Sequence, residues 1–184
     1  MAEQIFSARR CRDTRKPRAE QCPDTAFYRC KDCGSLFTLT GEKALEEKEI
    51  LCCGQPSVRL MPVSAESVKD RLEVSYEIIG GYNDNSVRVQ WSGPDRENYP
   101  EWVYLKTFTG GYLKYTKDIP RSGVVFALAD TDAFAYCDES PCLECVFRCK
   151  RGFVVYFFSP GIGLIELALD KMHAQWQTGA EAKQ

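Results

Sequence analysis

The sequence predicts a mostly β protein, and three observations carry that expectation. Between residues 63 and 158, short runs of apolar residues alternate with polar ones. Turn formers such as Gly80-Gly81, Asn83-Asp84-Asn85 and Gly110-Gly111 punctuate those runs. The aromatic share is 12%, weighted to Phe and Tyr, which suit half-buried strands. Short strands separated by turns fit a sandwich or a barrel.

Residues 1–25 read as a basic, flexible arm. Arg9, Arg10, Arg12, Arg15, Lys16 and Arg18 crowd it with charge, and Pro17 and Pro23 interrupt any helix. It is either a solvated tail or a docking element for an acidic partner. Cys11 and Cys22 lie within it, as free thiols or as further ligands.

Residues 26–62 form a compact cysteine module. Phe27-Tyr28 leads into Cys30-Lys31-Asp32-Cys33-Gly34, and Leu36, Phe37 and Leu39 follow as a short strand. A charged loop over 41–49 leads through Ile50-Leu51 into Cys52-Cys53-Gly54-Gln55-Pro56. Val58, Leu60 and Val63 make the exit strand.

Residues 63–158 supply the β domain. Leu72, Val74, Tyr76 and Ile78 alternate, as do Val87, Val89 and Trp91. Further strands are expected at Trp102–Phe108, Tyr112–Lys117, Val124–Leu128 and Phe153–Phe158. Over residues 159–184 the period changes. Ile162, Ile165, Leu169, Met172 and Trp176 fall at helical spacing, with Pro160 before them and Gly179 after, so a C-terminal helix is expected. Its stripe would pack on its own domain or against a second copy or partner.

Composition narrows the function classes. Lys plus Arg is 24 and Asp plus Glu is 26, for a formal net charge of -2, so nothing draws the chain generally to nucleic acid or membrane. No apolar run reaches the length of a membrane span. The first residues lack the apolar stretch of a secretory signal, and a cytoplasmic location is expected. Ten cysteines and a single histidine, His173, mean that any metal chemistry rests on sulfur.

Cys30 and Cys33 form a Cys-x-x-Cys pair, which one tight turn can aim at one ion. The adjacent Cys52 and Cys53 follow after eighteen intervening residues. Neighbours in an extended strand point to opposite sides, so both can reach one ion only where the backbone bends sharply. Gly54 stands where it can permit that bend.

This pattern, Cys-x-x-Cys followed by Cys-Cys-Gly-Gln-Pro, resembles desulforedoxin and the N-terminal module of desulfoferrodoxin. The resemblance implies a mononuclear iron held by Cys30, Cys33, Cys52 and Cys53. Four thiolates also suit zinc, as a clamp on a small module. More weakly, the likeness continues to about residue 140, through Gly80-Gly81-Tyr82, Tyr99-Pro100-Glu101-Trp102, Phe126-Ala127-Leu128 and Tyr136-Cys137. It implies an immunoglobulin-like β-sandwich of the superoxide reductase type, whose iron takes four histidines and one cysteine. Where that family has its histidines, this chain has Asp70, Gly93, Asn98 and Ser140; only Cys137 matches. Superoxide reductase activity is therefore not expected.

A second cluster, Cys137, Cys142, Cys145 and Cys149, spans thirteen residues. Its short gaps suit an iron–sulfur cluster, a second zinc, or structural cysteines. The leading expectation is a non-catalytic electron-transfer protein with a redox partner or a larger redox complex, and a homodimer is a further option. The alternatives are a zinc-binding structural subunit and a residual reductase.

Overall fold

The computed structural model describes residues 22–79, 86–117, 122–133, 150 and 152–169. Thirteen strands run through them: β1 (Thr25–Arg29), β2 (Leu36–Thr40), β3 (Leu51–Cys52), β4 (Gln55–Pro56), β5 (Val58–Leu60), β6 (Pro62–Ser64), β7 (Glu73–Ile79), β8 (Ser86–Ser92), β9 (Trp102–Thr107), β10 (Gly110–Tyr115), β11 (Gly123–Ala127), β12 (Val154–Ser159) and β13 (Gly163–Ala168). They form a five-stranded sheet in the order β10-β9-β12-β13-β6, a three-stranded sheet β11-β8-β7, a three-stranded sheet β2-β1-β5, and the hairpin β3-β4. The protein is mostly β, as its sequence predicts.

The sandwich core follows from strand alternation. On β7, Tyr76 and Ile78 point inward; on β8, Val87, Val89 and Trp91; on β11, Val124 and Phe126. They meet Val103 and Leu105 of β9, Val155 and Phe157 of β12, and Ile165 of β13. Side chains two apart share a face, so each strand contributes one apolar row to the space between the sheets.

The five-stranded sheet is buried on its other face too. Trp102 and Tyr104 of β9, Tyr156 and Phe158 of β12 and Leu164 of β13 gather round Phe27 of β1, with Leu36 and Leu60 beside them. Phe27 sits edge-on to Tyr104 and Tyr156, and Trp102 stacks on Phe158 with an interplanar angle of 11°. Burial on both faces explains why β9 (WVYLKT) and β12 (VVYFFS) are apolar nearly throughout instead of alternating.

The expected C-terminal helix is corrected over its described part. Residues 163–168 are β13, antiparallel to β12 from Val154↔Ala168 to Ser159↔Gly163 and parallel to β6. Leu164 joins the cluster round Phe27, while Ile165 enters the sandwich core, so neighbours face opposite ways. Ile165, Leu167 and Leu169 all pack on the sandwich core, and the four-residue step from Ile165 to Leu169 is one that a strand face and a helix face share. The sheet thus continues past residue 158. Met172, His173 and Trp176 lie outside the described residues.

Two buried polar groups flank the stretch between 133 and 150. The Asp132 carboxylate accepts from the Thr109 backbone N–H at 3.2 Å, the Thr109 hydroxyl at 2.6 Å and the Tyr112 hydroxyl at 3.1 Å. Lys150, fully buried, donates from Nζ to the Ala133 carbonyl at 2.9 Å. Buried charges of this kind persist only with such partners.

Candidate metal centre

Two tight turns present the four cysteines at residues 30, 33, 52 and 53. In the first, β1 ends at Arg29, which pairs with Leu36 of β2. The chain between them closes with Gly34 N–H donating to the Cys30 carbonyl at 3.1 Å and Cys30 N–H donating to the Ser35 carbonyl at 3.0 Å. Gly34 adopts φ +72°, a left-handed conformation that glycine takes without a steric penalty.

The second turn is the hairpin β3-β4, in which Cys52 pairs with Gln55. Cys53 and Gly54 are its two central residues, with φ +52° and +74°. Positive φ at both central positions is the requirement of a type I′ turn, whose twist matches that of the flanking strands. This is the sharp bend that adjacent ligands need. Cys53 carries the left-handed strain and Gly54 relieves the second position.

The four sulfurs all lie within 4.8 Å of one another. Cys33 and Cys52 Sγ are 3.6 Å apart, and Cys52 and Cys53 Sγ are 3.9 Å apart. Ligands about 2.3 Å from a tetrahedral ion stand about 3.8 Å from each other. A disulfide needs about 2.05 Å, and all four thiols are free. The donor set and these two edges are those that one thiophilic ion could take. Cys30 is buried and Cys52 half-buried, while Cys33 and Cys53 are exposed, so the site opens to solvent on one side.

The thiols are not equivalent. The Ser35 hydroxyl lies 3.0 Å from Cys33 Sγ. Hydrogen bonds from Ser35, its hydroxyl foremost, lower the Cys33 thiol to about 6. The Cys52 thiol is pushed up to about 12, chiefly because it donates to the Cys33 sulfur. Cys53 is raised mainly through Cys33 as well. One thiolate supported by its neighbours' protons is the expected metal-free state, and an incoming ion displaces those protons.

Among the described residues, no other group of histidine, cysteine and acidic side chains converges in this way. Cys22 is half-buried against the sandwich core, and burial pushes its thiol up to about 11. It is not among the four that converge. Cys11, Cys137, Cys142, Cys145, Cys149 and Ser140 lie outside the described residues.

The described positions where the resemblance would have histidines carry other chemistry. Asp70 precedes Arg71, whose guanidinium donates to the Gly161 carbonyl at 2.7 Å. A Cβ at Gly93 would stand 2.6 Å from the Arg71 carbonyl oxygen, so the backbone leaves no room for a side chain there. The Asn98 side-chain oxygen would stand 2.6 Å from a Cβ at Gly161, so Arg71 and Asn98 both close on the same turn.

Sequence reasoning missed Ser35 and Arg29. A serine two residues beyond the second cysteine of a turn was the available signal for the first. Arg29 donates from Nε to the Gly34 carbonyl at 3.4 Å and forms an ion pair with Glu101 at 3.2 Å. No local pattern announces a partner seventy-two residues away.

No protein-family model matches the sequence, and no curated protein matches it. Among solved structures, the chain is similar to the superoxide reductase from Treponema pallidum, at 18% identity and a TM-score of 0.51. The match covers 79% of this chain and 98% of that one. The likeness is one of fold: a mostly β chain with a superoxide-reductase-like sandwich, joined here to four cysteines placed to hold a metal ion.

Proposed function

We propose that this chain is an iron-binding electron-transfer protein of the desulfoferrodoxin type, in which the superoxide reductase site has been lost. The observation that carries the reading is the convergence of four free thiols within 4.8 Å of one another, with Cys33 and Cys53 open to solvent. Iron bound there would supply a one-electron couple. The chain's own part is to hold the ion in a fixed sulfur cage and to leave one side accessible to a redox partner protein. The Ser35 hydroxyl against Cys33 would draw charge from one sulfur and so tune the centre. The absence of histidine at positions 70, 93 and 98, with the backbone closed over Gly93, supports a sandwich that serves as scaffold.

A second reading, a zinc clamp in a structural subunit, is favoured by one observation. Cys30 is buried beside β1, whose Phe27 plugs the outer face of the five-stranded sheet, so an ion there would also staple the turn to the sandwich. Metal and acid-labile sulfide analysis of anaerobically purified protein, with a visible spectrum, separates the two. One iron per chain with a colour that reductant bleaches reversibly fits electron transfer. Zinc in a colourless protein ends it in favour of the clamp. Sulfide with excess iron would assign an iron–sulfur cluster to Cys137, Cys142, Cys145 and Cys149. No helix among the described residues is long and apolar enough to cross a membrane.

A further inference from the structure

Arg29 immediately precedes the first cysteine of the site and closes β1. Its guanidinium makes three contacts. Nε donates to the Gly34 carbonyl at 3.4 Å. Nη2 donates to the two carboxylate oxygens of Glu101 at 3.2 and 3.4 Å. The plane also lies over the Phe158 ring, 4.6 Å from its centroid. Gly34 follows Cys33 directly, and its N–H is bonded to the Cys30 carbonyl, so it belongs to the turn that carries both sulfurs.

Glu101 is a fixed anchor. Its N–H donates to the Phe158 carbonyl at 2.7 Å, and its carbonyl accepts from Thr116 N–H at 2.8 Å. The two side chains are only 28% and 19% exposed, so solvent screens the pair less than a surface ion pair. A cage of four thiolates does not itself require any of these contacts. They bind the cysteine turn to the end of the sandwich.

We propose that Arg29 is a positioning residue for the metal centre and that, through Glu101, it couples metal occupancy to docking of the cysteine turn on the sandwich. This rests on the four-thiolate reading but not on which metal is bound or whether it cycles. An arginine held between a fixed carboxylate and a ring restrains the Gly34 carbonyl, so the ion meets a turn already in place. By reciprocity, ion binding must tighten the Arg29–Glu101 contact by the same factor.

The test is Co(II) titration of the full chain, read by sulfur-to-cobalt charge-transfer bands and by chelator competition. Arg29→Met and Glu101→Gln are compared with Arg88→Met, which breaks the Glu77 pair at 3.0 Å on the sandwich surface. The expected result is about tenfold weaker cobalt binding in the first two, with shifted bands. Arg88→Met should behave as wild type, and Arg29→Lys should fall between, keeping a charge for Glu101 but losing the fork onto Gly34. The double variant at 29 and 101 should lose no more than the weaker single. Wild-type affinity and spectra in Arg29→Met and Glu101→Gln would overturn the coupling alone. A wild-type chain that takes no cobalt would overturn both the coupling and the four-thiolate reading. Weakened binding in the variants supports the coupling whether or not the iron form bleaches with reductant.

Discussion

Phe27 and Trp102 stand with ring centroids 5.3 Å apart, and this pair seats the strand that leads to Cys30 on the outer face of the sandwich. Phe27 is 1% exposed and touches Tyr104 and Tyr156 as well. Phe27→Ala should therefore cost about 3–5 kcal/mol, the range for deleting a buried ring and leaving a cavity. Urea unfolding of the metal-loaded protein measures it. A cost below 1 kcal/mol would mean that this face contributes little to holding β1 in place.

Each of the four converging cysteines should be needed for a full site. Cys30→Ser, Cys33→Ser, Cys52→Ser and Cys53→Ser should each weaken metal binding, and Cys22→Ser should not, since Cys22 stands against the sandwich core. Metal held at a thousand times its dissociation constant stabilises the folded state by about 4 kcal/mol. Stripping it with a chelator should lower the unfolding midpoint accordingly. Chelation that leaves the midpoint of the loaded wild type unchanged would show that the folded chain binds no ion in preference to the unfolded one, which contradicts the four-thiolate site.

Gly54→Ala tests the hairpin. Nothing lies within 4 Å of a Cβ at this position, so the cost is conformational, through φ +74°. About 1–2 kcal/mol is expected for an L-residue forced into the left-handed region. Because Cys53 next to it is also left-handed, metal affinity should fall together with stability, as chelator competition would show.

Tyr156 gives the protein a pH dependence in the alkaline range. Burial, chiefly, and then Glu166, Asp24 and Tyr104 raise its phenol from the ordinary 10 to about 12. Below pH 10 both folded and unfolded chains keep the proton. Between pH 10 and 12 the unfolded chain releases it and the folded one does not, so stability falls with rising pH in that window. Tyr156→Phe should make the decline shallower when urea midpoints are compared at pH 9 and 11. An equal slope in both proteins would contradict the shift.

How much of this was legible in the sequence differs from element to element. The strands at Glu73–Ile79 and Ser86–Ser92 could be read because one face is core and the other is not, which leaves a period of two in the residues. The convergence of the four cysteines could be read because two closely spaced pairs of sulfur donors carry their geometry with them. Even the bend at Cys53-Gly54 was expected from the adjacency of two cysteines that would have to face one ion.

What sequence alone determined, then, is what local spacing encodes: alternating strands, a sulfur-only donor set, and the want of histidines for a second centre. Tertiary structure decided the rest. Gly163–Ala168 became a strand because both of its faces are covered, Leu164 by the Phe27 cluster and Ile165 by the sandwich core, and double burial erases the period that distinguishes strand from helix. Ser35 beside Cys33, and Arg29 between Gly34 and Glu101, acquired their roles only when folding brought their partners within hydrogen-bonding range. A residue's spacing shows which face it occupies, but its partners across the fold are set by how whole sheets pack, and that information is spread over the entire chain.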